Sequence, residues 1–153
     1  MKRLKFTKDI KASAEKIYRA MLGLDSLNTY KEWTAAFNPT STIEGSWEKG
    51  SKMYFIGTDE TGKKGGMVSE IAENKPAQFV SIRHYGIFDD GKEITSGPEV
   101  EKWANSFENY TFEEKQGYTT VIVDIDVVEE YLDYFQTTYP DALEKLKSIV
   151  EKS

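Results

Sequence analysis

The stretch YTTVIVDIDVVEEYLDYFQTTYPDALEKLKSIVEK, residues 118–152, changes its hydrophobic period partway along. Its first ten residues alternate between two faces, which is typical of a strand with one buried face. Its remainder repeats apolar residues in steps of three and four, which is typical of a long amphipathic helix. The inward strand face is predicted to hold Thr119, Val121, Val123, Ile125 and Val127. The buried stripe of the helix, over 129–152, is predicted to hold Leu132, Phe135, Tyr139, Leu143 and Leu146.

The residues before this stretch predict more strands and two short helices. Strands are expected at 2–10, 41–47, 51–58, 64–73, 78–86 and 105–114, and helices at 13–22 and 26–37. Ser13 suits a helix N-cap and Gly23 a helix end. The segment 87–103 reads as irregular, with one or two helical turns near Pro98. Short turns between consecutive strands imply antiparallel pairing.

These elements predict one α+β domain over 1–153. A curved antiparallel sheet of about six to seven strands would wrap around the long C-terminal helix, because a sheet and a striped helix must cover each other's apolar faces. The two short helices after the first strand would close one end. Such an arrangement favours a cavity between the helix and the sheet.

The composition narrows the possible partners. The 153 residues carry a formal charge of −6, so neither nucleic acid nor an anionic membrane is an expected partner. No apolar run approaches the roughly 18 residues of a membrane span. The sequence has no cysteine, and no apolar stretch of signal-peptide type follows its basic start. We therefore expect a cytoplasmic protein; no cofactor is predicted, and the oligomeric state stays open.

The order of elements resembles the helix-grip fold of the START-related, birch-pollen-allergen-like (SRPBCC) superfamily. Within it, the chain resembles the family related to the activator of the heat-shock chaperone ATPase. The matching stretches are IKASAEKIYRAMLGLDSLNTYKEW (10–33), Gly50 with Phe55, GMVSEI (66–71), YTFEEKQGYTTVIV (110–123) and ALEKLKSIVE (142–151). Tyr18 stands where this family commonly has tryptophan. The resemblance implies the fold, and a chaperone as a partner, but no shared catalytic residues.

His84 is the sole histidine of the sequence and therefore its one candidate base of neutral pKa. A serine hydrolase would need it as the base of a triad, yet the sequence contains no GxSxG motif. Metal sites usually gather several His, Cys or carboxylate ligands, and His84 with Asp89 and Asp90 is a weak set. We predict neither a catalytic set nor a metal site, and whether any reaction is catalysed stays open.

Strand alternation suggests a different place for His84. In strand 78–86, the face of Gln78, Val80, Ile82 and His84 is favoured as inward, although the opposite face is not excluded. In strand 105–114, Glu108 would share an inward face with Tyr110. A buried carboxylate needs a partner, and His84 is a natural one. The alternative is that His84 caps the strand end and Glu108 reaches solvent.

The sequence thus supports three functional hypotheses. The first is a protein that binds a small apolar or amphipathic molecule between the sheet and the C-terminal helix. The others are a co-chaperone-like regulator of a chaperone ATPase and a polyketide-cyclase-like enzyme with an acid–base pair of His84 and Glu108. His84→Ala and Glu108→Gln are expected to weaken ligand binding with the fold intact. The predicted ligand-binding residues are Trp33, Phe55, His84, Glu108, Tyr110, Phe135 and Tyr139.

Overall fold

The computed structural model describes residues 1–152. The strands are β1 (Lys2–Ile10), β2 (Thr42–Gly45), β3 (Lys52–Thr58), β4 (Lys64–Lys75), β5 (Phe79–Asp89), β6 (Lys92–Ile94), β7 (Ser106–Lys115) and β8 (Tyr118–Val127). The helices are α1 (Ala14–Leu22), α2 (Leu27–Thr34), α3 (Pro98–Glu101) and α4 (Leu132–Lys152), with a short 3₁₀ turn at Glu129–Tyr131 before α4. None of these helices is long and apolar enough to cross a membrane.

The eight strands of the described chain form one curved antiparallel sheet. Its order is β1-β8-β7-β5-β4-β3-β2, and β6 pairs with the end of β5. This confirms the predicted α+β class and the helix-grip arrangement, with a long C-terminal helix and two short helices after the first strand. The predicted number of strands was too small because β6 is three residues long, has no buried residue and lies in a segment that reads as irregular.

The main core lies between the sheet and α4. The five residues predicted for the inward face of β8 are all buried. On α4, Tyr139, Leu143 and Leu146 are buried as predicted, whereas Leu132 and Phe135 are partly buried and pack against the edge of the core. The two halves of residues 118–152 therefore cover each other, as their patterns require.

Helix α1 begins and ends where its sequence predicts. The hydroxyl of Ser13 accepts a hydrogen bond from the backbone N–H of Lys16, which satisfies one free donor of the first turn. Gly23 ends the helix in the left-handed conformation, with φ of 69°. Helix α2 is shorter than the predicted 26–37 because it ends at Thr34, and its N-cap is Ser26.

Strand β4 contains an irregularity that positions one site residue. Gly66 has a φ of 155°, and a Cβ atom there would lie 1.8 Å from the carbonyl oxygen of Phe55, so only glycine permits this strand separation. A shift in register follows between Val68 and Ser69. Both residues are fully buried: Val68 packs with Ile56 in a second small cluster, whereas Ser69 contacts the side chain of the site residue His84.

Candidate functional site

A cavity of about 790 Å³ lies between the sheet and helices α2 and α4. Its volume is within the range of roughly 300–1,000 Å³ that is usual for small-molecule sites. All seven residues predicted from the sequence to bind a ligand line it: Trp33, Phe55, His84, Glu108, Tyr110, Phe135 and Tyr139. The structure thus brings the predicted set together around one space, although the residues come from five different elements.

His84 lies inside the cavity, and its imidazole is held at both nitrogens. Val80, Ile82 and His84 are buried on the favoured inward face of β5, but Gln78 precedes the strand in a turn and is exposed, against the prediction. The His84 Nε2 atom is 3.1 Å from Oε1 of Glu108, so the predicted contact is present. The alternative, in which His84 caps the strand end and Glu108 reaches solvent, does not hold: His84 lies within β5 and is 5% exposed, and the side chain of Glu108 is 15% exposed.

Ser69 is the functional neighbour that sequence reasoning missed. Its Oγ atom is 2.6 Å from Nδ1 of His84, and the residue is fully buried. It is not among the residues that line the cavity, so it holds the imidazole in place from the side away from the cavity. Ser69 lies directly opposite His84 in the register, beside the bulge of β4, and neither feature can be read from the local sequence pattern.

Two tyrosine hydroxyls face the other oxygen of Glu108. Tyr139 on α4 donates a hydrogen bond to Oε2, and the Tyr110 hydroxyl lies 3.5 Å from the same atom. Burial raises the pKa of both phenols well above the usual tyrosine value, and the nearby Glu108 carboxylate adds to the rise. Both hydroxyls therefore remain protonated donors across the physiological range. The sequence placed Tyr139 in the site but did not predict its bond to Glu108.

The apolar wall is formed by rings that hold one another in place. Trp33 is almost fully buried, and its indole N–H donates to the carbonyl oxygen of Met21 at 2.9 Å. Its ring meets Tyr110 edge to face, with centroids 6.3 Å apart, and Phe37 at 6.4 Å. Phe55 meets the imidazole of His84 in the same way at 5.7 Å. These contacts make the wall a rigid aromatic surface.

The arrangement limits the chemistry that the site can perform. Ser69, His84 and Glu108 form a hydrogen-bonded chain, but a hydrolase would need the serine to reach its substrate. Since Ser69 is fully buried behind the imidazole, it cannot act as the nucleophile. Within residues 1–152, no group of three or more His, Asp or Glu side chains could hold a metal ion. His84 and Glu108 both line the cavity, where a hydrogen-bonded imidazole and carboxyl group can exchange a proton with a bound molecule.

The raised pKa values of Tyr110 and Tyr139 predict a loss of stability at alkaline pH. Unfolded tyrosines lose their protons at a pKa of about 10, whereas the folded protein keeps these two protonated. Their contribution is full below about pH 10 and is lost as pH rises toward the raised folded pKa. Tyr139→Phe should flatten the fall in unfolding free energy above about pH 10, measured by urea titration at several pH values. Tyr131→Phe, at an exposed tyrosine, is the control, and equal slopes for both variants would contradict the prediction.

Comparisons with known proteins identify the fold. No protein-family model matches the sequence, and no curated protein matches it. The structure is similar to that of protein MLL2253 from Mesorhizobium loti, with a TM-score of 0.73 at 12% identity, covering 99% of this chain and 98% of that one. It is also similar to Aha1 from Colwellia psychrerythraea, solved as a dimer, with a TM-score of 0.70 at 22% identity over 99% and 97% of the chains.

A third similar structure is protein Ms6760 from Mycobacterium smegmatis, with a TM-score of 0.70 at 15% identity, covering 98% of this chain and 91% of that one. At such identities the likeness shows the fold alone. Because it extends over nearly the full length of all three proteins, it includes the sheet, both short helices and α4 together. The chain therefore has the helix-grip fold that these three proteins share.

Proposed function

We propose that this protein binds a small apolar or amphipathic molecule in the cavity between the sheet and α4. The observation that carries the proposal is a cavity of about 790 Å³ with an aromatic wall and a cluster of polar groups around His84 and Glu108. Pockets that bind small molecules combine these two features, because apolar contact supplies affinity and a few polar groups fix orientation. Trp33, Phe55 and Phe135 belong to the wall, and Tyr110 and Tyr139 join the polar cluster.

Native mass spectrometry of the freshly purified protein tests this proposal. We expect a fraction of the protein to carry an added small-molecule mass that disappears on denaturation. Binding of the uncharged fluorophore N-phenyl-1-naphthylamine provides a second reading that does not depend on what the expression host supplies. A protein that carries no added mass and does not bind the fluorophore would contradict the proposal.

A pair of substitutions at Met67 ties that binding to the cavity. Met67 is partly buried and lines the cavity. Met67→Trp should fill part of the space and weaken fluorophore binding by about tenfold or more, because extra volume in a packed site displaces its occupant. Met67→Leu keeps nearly the same volume and should bind as the wild type does. Equal binding by both variants would place the fluorophore elsewhere.

The contact between His84 and Glu108 favours a second candidate, a proton-transfer enzyme of the polyketide-cyclase type. A hydrogen-bonded imidazole and carboxylate that line a cavity can exchange a proton with a bound molecule. The molecule recovered by native mass spectrometry distinguishes the two functions. Incubation with an excess of that molecule should leave it unchanged if the protein only binds it, whereas conversion at a rate that falls in His84→Ala would indicate an enzyme.

The family resemblance in the sequence and the likeness to Aha1 support a third proposal, a regulator of a heat-shock chaperone ATPase. Fold alone does not fix function, so this proposal ranks below ligand binding. It predicts that the added protein raises the ATPase rate of a heat-shock chaperone. An unchanged rate at saturating protein would contradict it.

We also propose a cytoplasmic location, which cell fractionation tests.

A further inference from the structure

Glu108 is the centre of the polar cluster in the cavity. Its side chain lines the cavity and is 15% exposed. Its Oε1 atom faces His84 Nε2, and its Oε2 atom accepts from Tyr139, with the Tyr110 hydroxyl further away. Within residues 1–152, His84 is the basic side chain that pairs with this carboxylate. Glu108 therefore presents hydrogen-bond acceptors to whatever occupies the cavity.

Two groups that donate to Glu108, His84 and Tyr139, have no hydrogen left for a ligand. His84 has two ring nitrogens, and Ser69 occupies Nδ1 while Glu108 occupies Nε2. Both nitrogens have these partners whether the imidazole is neutral and donates from Nε2 or is an imidazolium and donates from both nitrogens. The Tyr139 hydroxyl has one hydrogen, and it points to Glu108. Neither His84 nor Tyr139 thus has a free hydrogen to offer to an anionic ligand.

Glu108 can still accept further hydrogen bonds from a ligand. An ionised carboxylate has about four lone-pair sites on its two oxygens. Oε1 accepts from His84 Nε2, which leaves a second position on that atom for a ligand. A hydroxyl or an ammonium group can fill the position, whereas a carboxylate would bring a second negative charge against the first and find no donor on His84 or Tyr139.

We infer that the ligand of this cavity carries a polar end that donates hydrogen bonds and has no negative charge, an alcohol or an ammonium group, and that this end binds Oε1 of Glu108. The inference rests on the proposed ligand-binding function and goes further, because it states the polarity of the ligand. The aromatic wall around Trp33 and Tyr110 fits the same chemistry, since ring faces attract cations and pack against alkyl chains.

A matched series of ligands tests the inference. Decanol, decylamine and decanoate share one alkyl chain and differ in the polar end, and at neutral pH they are neutral, cationic and anionic. Each is titrated into the wild-type protein with N-phenyl-1-naphthylamine present, and the loss of fluorescence measures displacement. We expect decanol, decylamine or both to bind at least about tenfold more tightly than decanoate, given two like charges in a partly buried site. Decanoate binding as tightly as the other two would overturn the inference and leave the binding function standing.

Glu108→Gln tests whether the Glu108 side chain causes the preference for decanol and decylamine over decanoate. The amide keeps the shape of the carboxylate, removes its charge and adds a donor, so the preference against decanoate should fall to about threefold or less. Glu113→Gln, at an exposed glutamate on the same strand β7, should keep the full preference. An unchanged preference in Glu108→Gln would overturn the role of Glu108. Failure of all three ligands to displace the fluorophore would contradict both the inference and the proposed function.

Discussion

Leu146→Ala should lower the free energy of unfolding by about 2–5 kcal/mol. Leu146 is fully buried on α4 and belongs to the core between this helix and the sheet. Truncating its side chain removes apolar contacts and leaves a cavity that the rigid surroundings fill only in part. Urea unfolding followed by circular dichroism measures the loss.

The matched control for this substitution is Leu24→Ala. Leu24 follows helix α1 and is 40% exposed, so the same change of side chain should alter the free energy of unfolding by no more than about 0.5 kcal/mol. A loss below about 1 kcal/mol for Leu146→Ala would mean that α4 does not bury its stripe against the sheet.

His84→Ala should cost stability as well as ligand binding. The substitution removes the partner of two groups at once, the hydroxyl of Ser69 and Oε1 of Glu108. Ser69 is fully buried, and leaving such a group without a partner costs about 1–3 kcal/mol. From the sequence, His84→Ala was expected to leave the fold intact, and the contact with Ser69 adds this cost. Urea unfolding measures it, and displacement titration measures the loss of binding.

A double-mutant cycle with Ser69→Ala separates this contact from general damage. In the double variant the serine hydroxyl is absent, so removing the imidazole leaves one fewer buried group without a partner. The two substitutions should therefore be non-additive by about 0.5–3 kcal/mol, with the double variant more stable than the sum predicts. Additive losses would show that the contact between Ser69 and His84 contributes no coupling energy.

The fold could be predicted because its main strands and helices have clear local patterns of apolar residues. Strand β8 alternates over its whole length and α4 repeats its apolar residues over its length, so each pattern fixes which face is buried. Strand β6 has no such pattern, since its three residues are all exposed and are held by pairing with β5. The end of α2 could not be predicted either, because the apolar residues continue to Phe37 although the helix ends at Thr34.

The site could be predicted in part for the same reason. Alternation favoured inward faces for His84 and Glu108, and a buried carboxylate made His84 its natural partner. The contact of Ser69 with His84 could not be predicted, because the bulge in β4 breaks the alternation and both Val68 and Ser69 are buried. The bond from Tyr139 to Glu108 joins α4 to β7, and the angle at which a helix crosses a sheet is not encoded in either pattern alone.

A crystal structure of the protein with decylamine bound tests the central claim most directly. We predict electron density for the alkyl chain in the cavity between the sheet and α4, against Trp33 and Phe37. The ammonium nitrogen should lie at hydrogen-bonding distance from Oε1 of Glu108, about 2.7–3.2 Å. An ammonium group beside the ion pair of Lys63 and Asp89, two other residues that line the cavity, would contradict the inferred orientation. An alkyl chain bound outside the cavity would contradict the proposed binding function as well.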